Sequence, residues 1–512
     1  MSHLQTHNTS ATATTKRLTP RASPLERKWR QPHPSAHIQA LVQDPDRPSM
    51  ICPFNIPSCP GCKEATTDEH RAQLARRRTL DIQADKHHFF ALARQASIVS
   101  LKSPAIVRVQ MQAELISLYL PKDIKFPDFV VLKDMIGVMP AGQALKLGMD
   151  ALCLTQLGTS RGDKKLLMEG ADIYRKALQC LRSDVSRPNA HTQDAVLGAV
   201  YILAVCELFT SISQDGVGWS AHVRGLNYLL HARHEQSAES DLLTLVLRGY
   251  RQFASQLGLI TRKRLKLFSF PAWQRVSTSI PSTLPGLADI ATLVARALDD
   301  TDALVQGQPT VEDLVVLLIR LRGLERDMQI WLAWWYRTIP DMPYRLMRAE
   351  TSGLPEFAAL SEDGDDSTRA TFSHFFEFPN FATAYVHGVY FAYLIQIRQG
   401  TRDAARALPA PASAVDPTLT EKLLAEQVTE GADSLCKSLP FILRAEHGAA
   451  AVMRVVPGLY LASRWYGQSE QSTKWLWCRK VGQTIEERGF TVAGLRGDGP
   501  LARYPTSPRT TS

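Results

Sequence analysis

The sequence predicts an all-α protein, and three observations carry that prediction. Beyond residue 105, apolar residues recur three and four positions apart in stretch after stretch, the period of a helix with one buried face. Short polar turns such as GTSRGD and SRPNAH join those stretches, and no clear period-two run competes apart from a weak FPDFVVL at 126–132. The chain of 512 residues, 45% hydrophobic and 21% charged, is long enough for a large buried core.

Taken in order, the first fifty residues are rich in Ser, Thr, Pro and His and have Glu26 as the only acid before Asp44. Pro20, Pro24, Pro32 and Pro34 interrupt any amphipathic helix among Arg17, Arg21, Arg27, Lys28 and Arg30, so a disordered basic arm is expected over 1–50. No apolar core of a secretory signal is readable there. A Cys-rich segment follows at 51–72 and a basic linker at 73–104.

Helices are then expected at 105–120, 141–158, 163–183, 191–213, 219–235 and 240–257, with Asp163 and His191-Thr192 where helix starts would fall. A basic, then Ser/Pro-rich break covers 258–290. Helical pattern resumes at 311–338, apolar enough for a central core element. Residues 339–370 read as a loop with an acidic patch, followed by helical stretches at 371–399, 417–444 and 447–490 and a polar tail over 491–512. The longest apolar run, 195–209, is too short for a comfortable membrane span and carries Glu207, so a buried bundle helix is expected and no membrane contact.

Cysteine usage divides in two. Cys52, Cys59 and Cys62, in CPFNIPSCPGC, are separated by six residues and then two. Soft thiolates at that spacing can reach one zinc ion, which takes four ligands in a tetrahedron. Cys153, Cys180, Cys206, Cys436 and Cys478 stand singly in apolar helical stretches, as free cysteines acting as small hydrophobes in a reducing compartment.

The formal charge of +9 is concentrated in clusters at Arg27–Arg30, at Arg76, Arg77 and Arg78, and at Arg262–Lys266. Such clusters suit phosphate backbones or import receptors, although a solvated face is the commoner origin of any single one. His222 lies on an apolar helix with no nucleophile paired to it by motif, which favours a structural histidine over a general base. His231 and His234 lack a carboxylate or cysteine partner for a metal. Glu362, Asp363, Asp365 and Asp366 lack the spaced ladder of a calcium loop. Trp331, Trp334, Trp335 and Tyr336 read as core, with a small-molecule pocket as the alternative. Phosphate-loop, dinucleotide, nucleophile-elbow and metalloprotease motifs do not occur, and no catalytic residue is assigned.

One succession of segments is familiar: GADIYRKALQCLRSDV, QDAVLGAVYILAVCELFTS, GWSAHVRGLNYLLHAR, LVLRGYRQF and KLFSFPAW. With LISLYLP and ALKLGMDALCLTQLGTSRGDKKLL before it and KWLWCRKVGQTIEERGF after it, it resembles the regulatory domain of the fungal binuclear zinc-cluster transcription factors, over roughly 105–490. Trp219–Gly225 with Leu229 and Leu230 is its most specific piece.

Aligned with that family's six-cysteine DNA-binding module, Cys52, Cys59 and Cys62 match its third, fourth and fifth cysteines, and Pro57 its usual proline. The first two fall at Val42 and Pro45, which bind no metal, and the sixth near Glu69, one residue before His70. The basic run between the second and third cysteines is reduced to residues 46–51. At best a single site remains: Cys52, Cys59, Cys62 and His70. Either autonomous DNA binding is lost, or the coding start is misplaced and the missing half lies upstream.

The resemblance implies a nuclear regulator of RNA polymerase II genes, pathway-specific for secondary metabolism or nutrient use. Zinc would be its cofactor, DNA and the transcription machinery its partners, and a homo- or heterodimer a possible form. Arg76, Arg77 and Arg78 would then contact phosphates. The alternatives are a co-regulator acting through a partner factor, and a small-molecule receptor or enzyme built on the helical domain.

Overall fold

The computed structural model describes residues 104–120, 127–213, 217–233, 240–264, 283–339, 342–349, 371–414 and 416–491. The described residues are all-α: thirteen α-helices, four short 3-10 turns and one two-stranded antiparallel sheet. The helices are α1 (Pro104–Tyr119), α2 (Pro127–Gly137), α3 (Gln143–Arg161), α4 (Lys164–Val185), α5 (Asp194–Cys206), α6 (Val217–Arg233) and α7 (Asp241–Thr261). After them come α8 (Thr283–Gln306), α9 (Val311–Tyr336), the strands β1 (Arg345–Arg348) and β2 (His374–Glu377), α10 (Phe381–Arg406), α11 (Glu421–Ile442), α12 (Gly448–Gln468) and α13 (Ser472–Glu487).

Local chemistry sets the helix ends. α3 closes on Gly162 in the left-handed region (φ 65°), and Asp163 then caps α4 by accepting from the backbone N–H of Lys165 and Leu166 at 2.9 and 3.2 Å. This one-turn reversal makes α3 and α4 an extensively packed hairpin. Thr310 and Asp313 form a reciprocal capping box at the start of α9. Asn380 caps α10 through the Thr383 N–H at 2.9 Å.

Two helix groups share one body. α3, α4, α5 and α6 pack on one another, as do α8 through α13, and α7 touches members of both. α10 is the central element of the second group and packs against α8, α9, α11 and α12; twenty of its residues are buried. The chain also closes on itself. Phe209, just after α5, forms a β-bridge with Phe490, and the Thr491 N–H donates to the Leu208 carbonyl at 2.8 Å.

Four expectations need correction. FPDFVVL belongs to a helix, α2: Pro127 opens it, where its missing N–H costs nothing, and Val131, Leu132 and Met135 bury one helical face. The break at 258–290 is too wide, because α7 runs to Thr261 and α8 begins at Thr283, with Pro285 in its tolerant first turn. The stretch 191–213 opens with a 3-10 turn (Ala190–Thr192), and its α-helix starts only at Asp194 and stops at Cys206, where the chain turns to meet Phe490. The stretches read as loop at 339–370 and helix at 371–399 each contain a strand, paired Arg345 to Glu377 through Arg348 to His374.

Candidate functional site

Cys52, Cys59, Cys62, His70, Arg76, Arg77 and Arg78 lie outside the described residues, as do His234 and the 362–366 acidic patch. Among the described residues no group of three or more His, Cys, Asp or Glu could hold a metal ion. None of the described helices is long and apolar enough to cross a membrane.

The described part of the third basic cluster, Arg262, Lys263 and Arg264, is committed within the domain. Arg262, at the C-terminus of α7 with φ 53°, places Nη2 2.8 Å from Asp302 and 2.9 Å from Asp403. Burial lowers the affinity of its guanidinium for a proton, but the Asp403 and Asp302 carboxylates outweigh that and leave its pKa raised. Lys263 and Arg264 pair with Asp299, and Arg264 also with Asp300.

His222 reads as structural. The Tyr174 hydroxyl donates to the Glu207 carboxylate and lies 3.3 Å from His222 Nε2. Burial lowers the His222 pKa to about 4, so at neutral pH it is an uncharged member of a packed polar cluster. Cys153, Cys206, Cys436 and Cys478 are buried free thiols; burial raises the Cys153 pKa to about 12, which disfavours the reactive thiolate.

The aromatics of 331–336 mostly fill core. Trp331 and Trp335 are buried and stack at 6.2 Å, while Trp334 is exposed. The Tyr336 hydroxyl donates to His387 Nε2 at 2.8 Å, and His387 Nδ1 donates to the Thr383 carbonyl at 2.8 Å. This tautomer follows from the carbonyl, which can only accept.

A cleft with the character of a ligand site lies elsewhere, where α7, α10, α11 and α12 converge and Leu287 of α8 closes one wall. It is partly open and encloses about 60 Å³. Each helix contributes residues at helical spacing: Gln252, Ser255, Gln256 and Leu259 from α7, and Leu435, Leu439 and Ile442 from α11. Gly458 of α12 lets Leu435 approach to about the limit of contact, since a Cβ there would stand 3.1 Å from its Cδ1.

Polar groups are gathered at one edge of this apolar space. Arg454 Nη1 donates to Gln252 Oε1 and, at 3.3 Å, to the Tyr385 hydroxyl, which itself donates to Gln252 Oε1 at 3.0 Å. The guanidinium carbon sits 5.4 Å from the Tyr385 ring centroid, within cation–π range. Ser255 donates to the Arg251 carbonyl of its own helix at 2.8 Å, so its hydroxyl is engaged by the backbone. Burial raises the Tyr393 phenol pKa, keeping it protonated. Among the described residues, no Asp or Glu lines the cleft. The arrangement is one for binding: an apolar slot with a cationic, hydrogen-bonding rim.

Sequence reasoning placed a possible pocket at 331–336 and missed this one. Its residues come from five segments spread over more than two hundred positions, and each segment alone reads as ordinary helix interior. Arg454 is the only visible signal, a cation within the apolar run of α12.

No family model, no curated protein and no solved structure matches this chain.

Proposed function

We propose that this chain regulates transcription in the manner of the fungal binuclear zinc-cluster factors, acting in the nucleus on RNA polymerase II genes of a restricted pathway. The observation that carries the reading is the ordered succession of segments resembling that family's regulatory domain. Its support from the fold is that segments far apart in sequence lie in one helical body. QDAVLGAVYILAVCELFTS contains Phe209, and KWLWCRKVGQTIEERGF ends at Phe490, the two bridge partners.

In this reading Cys52, Cys59, Cys62 and His70 supply a Cys₃His donor set, one of the sets that structural zinc accepts. Arg76, Arg77 and Arg78 make sequence-independent phosphate contacts. A second reading rests on Val42 and Pro45, which stand where two metal ligands would be needed: a co-regulator that reaches DNA through a partner factor.

The test is the zinc content of the purified full chain and of Cys59→Ser, with duplex binding at two salt concentrations. About one zinc per chain, lost with DNA binding in the variant, is the outcome expected of a direct reader. Replacing Arg76, Arg77 and Arg78 by alanine should then flatten the salt dependence. No zinc and no salt-sensitive binding, with DNA retention only beside a partner factor, selects the co-regulator. No DNA association under either condition sinks both readings.

A further inference from the structure

We propose that α9 carries a self-association surface. The exposed stripe of Val316, Ile319, Ile330 and Trp334 meets the same stripe on a second copy of this chain, the two α9 helices running antiparallel about a two-fold axis. The inference rests on the helical body alone and does not depend on the transcriptional reading.

The stripe departs from what a surface helix normally shows. α9 packs on α8 and α10 and buries Leu314, Leu317, Leu321, Leu324, Met328 and Trp335. The opposite face of such a helix is ordinarily polar. Here Val316, Ile319, Ile330 and Trp334 are between 45% and 67% exposed. With Glu312, Gly323, Asp327 and Arg337 they recur at steps of three and four, so all of them share one face. A lone exposed apolar side chain needs no explanation, but a row of them over about five turns marks a contact surface.

Gly323 lies in the middle of the stripe, and a Cβ added there would meet nothing within 4 Å. Glycine weakens a helix interior, and no close contact within the fold calls for it here. A second helix crossing at close range would.

Symmetry of charge identifies the occupant as a second copy. A two-fold interface must be self-complementary: what one copy presents at one end, the other answers at the opposite end. Glu312 and Arg337 are both exposed and lie equally far, in opposite directions, from the point between Leu324 and Glu325. So do Ile319 and Ile330. Antiparallel pairing about that point sets Glu312 of each copy against Arg337 of the other, with Ile319 against Ile330 between them. Val316 falls beside Trp334, and Asp327 falls opposite Gly323, where there is room and no like charge. Parallel pairing would instead set Glu312 on Glu312 and Arg337 on Arg337. An unrelated partner gives no reason for acid and base to stand at mirrored positions. The two charges are about 37 Å apart along the helix, so a single helix pair makes a contact of the small, reversible class.

The experiment is sedimentation equilibrium of the full chain over a range of concentrations. The mass should rise from the 57.0 kDa of one chain toward twice that value. Ile319→Glu, which places a charge in the apolar row from an exposed position, should weaken association about tenfold or more. It should leave the melting temperature of the dilute, monomeric chain unchanged. Glu312→Arg and Arg337→Glu, each alone, put like charges at both ends and should each weaken association about fivefold. An equimolar mixture of those two variants restores opposite charges at both ends and should associate as tightly as wild type. This mixing result decides the matter even if Ile319→Glu does not fold. A chain that stays monomeric throughout overturns the proposal and leaves the stripe to a partner of another kind. Association that Ile319→Glu leaves intact, at an unchanged melt, overturns it by placing the contact elsewhere. A mixture that associates no more tightly than either variant alone overturns the antiparallel pairing on which the proposal rests.

Discussion

Arg398 of α10 and Glu325 of α9 form an ion pair inside the helical body, Nε to Oε1 at 2.9 Å, with only 5% and 8% of the two side chains exposed. Arg398 Nη1 also donates to the Gln427 carbonyl at 2.5 Å and to Glu430 at 3.2 Å, so one guanidinium ties α9, α10 and α11 together. Removing one partner of such a pair leaves the other charge buried, which is costlier than never having had the pair. Glu325→Gln should therefore lower stability by about 3 kcal/mol. The double replacement of Glu325 and Arg398 by Met should recover most of that loss. Urea denaturation midpoints check both; a single variant within about 0.5 kcal/mol of wild type would show that the pair is not energetically desolvated.

Gly448 offers a separate test of packing between distant parts of the chain. It opens α12 with φ 69° and ψ −178°, a backbone state open to little besides glycine. A Cβ added there would also stand 2.8 Å from the Tyr119 carbonyl oxygen and 3.0 Å from that of Leu118, at the end of α1. Gly448→Ala should cost about 3 kcal/mol, strain and overlap acting together. Gly162→Ala is the control: φ is 65° but nothing lies within 4 Å of the added carbon, so about 1 kcal/mol is expected. Equal melting temperatures for the two variants would remove the α1–α12 contact from the explanation.

How much of this was legible beforehand depends on how local the determinants are. α3, α4, α6 and α7 were readable because their apolar period is intact and their ends carry local signals such as Asp163. α8 was missed because Pro285 and Gly286 look like linker residues, and only its buried Leu287, Ala291 and Val294 reveal a helix laid on α7, α9 and α10. β1 was invisible for a different reason: a four-residue strand needs its partner, and Glu377 lies thirty-two positions from Arg345. The Arg454 rim is the extreme case. Gln252 and Arg454 are 202 positions apart, and no local pattern joins them.

Acid should weaken the fold through His387. This imidazole is fully buried among Trp335, Tyr344 and Phe378, and burial lowers its pKa from 6.5 to about 4. The folded state thus resists a proton that the unfolded chain accepts. Its contribution is complete above pH 6.5 and is lost as pH falls toward 4. That difference corresponds to about 3 kcal/mol. His387→Gln keeps a donor and an acceptor for Thr383 and Tyr336 but cannot titrate. Its stability should fall less steeply than wild type between pH 7 and pH 4.5. Parallel curves would mean that His387 is not the group taking up the proton.

The Arg262, Lys263 and Arg264 cluster gives the last prediction, because its sequence suits a phosphate-binding or import patch and its structure does not. All three cations face carboxylates on α8, and Arg262 also reaches Asp403 on α10. Arg262 is buried, so its pairs are shielded from salt, whereas the half-exposed Lys263 and Arg264 side chains make pairs worth under about 1 kcal/mol each. Replacing Arg262 alone by Ala should lower the melting temperature clearly, since Asp302 and Asp403 lose their shared counter-charge. Replacing Lys263 and Arg264 together should change it little. Neither change should alter the salt dependence of any DNA binding the full chain shows, because these cations are already neutralised in the fold. A flattened salt slope on losing Lys263 and Arg264, at unchanged melting temperature, would show instead that the cluster leaves its acidic partners to meet phosphate.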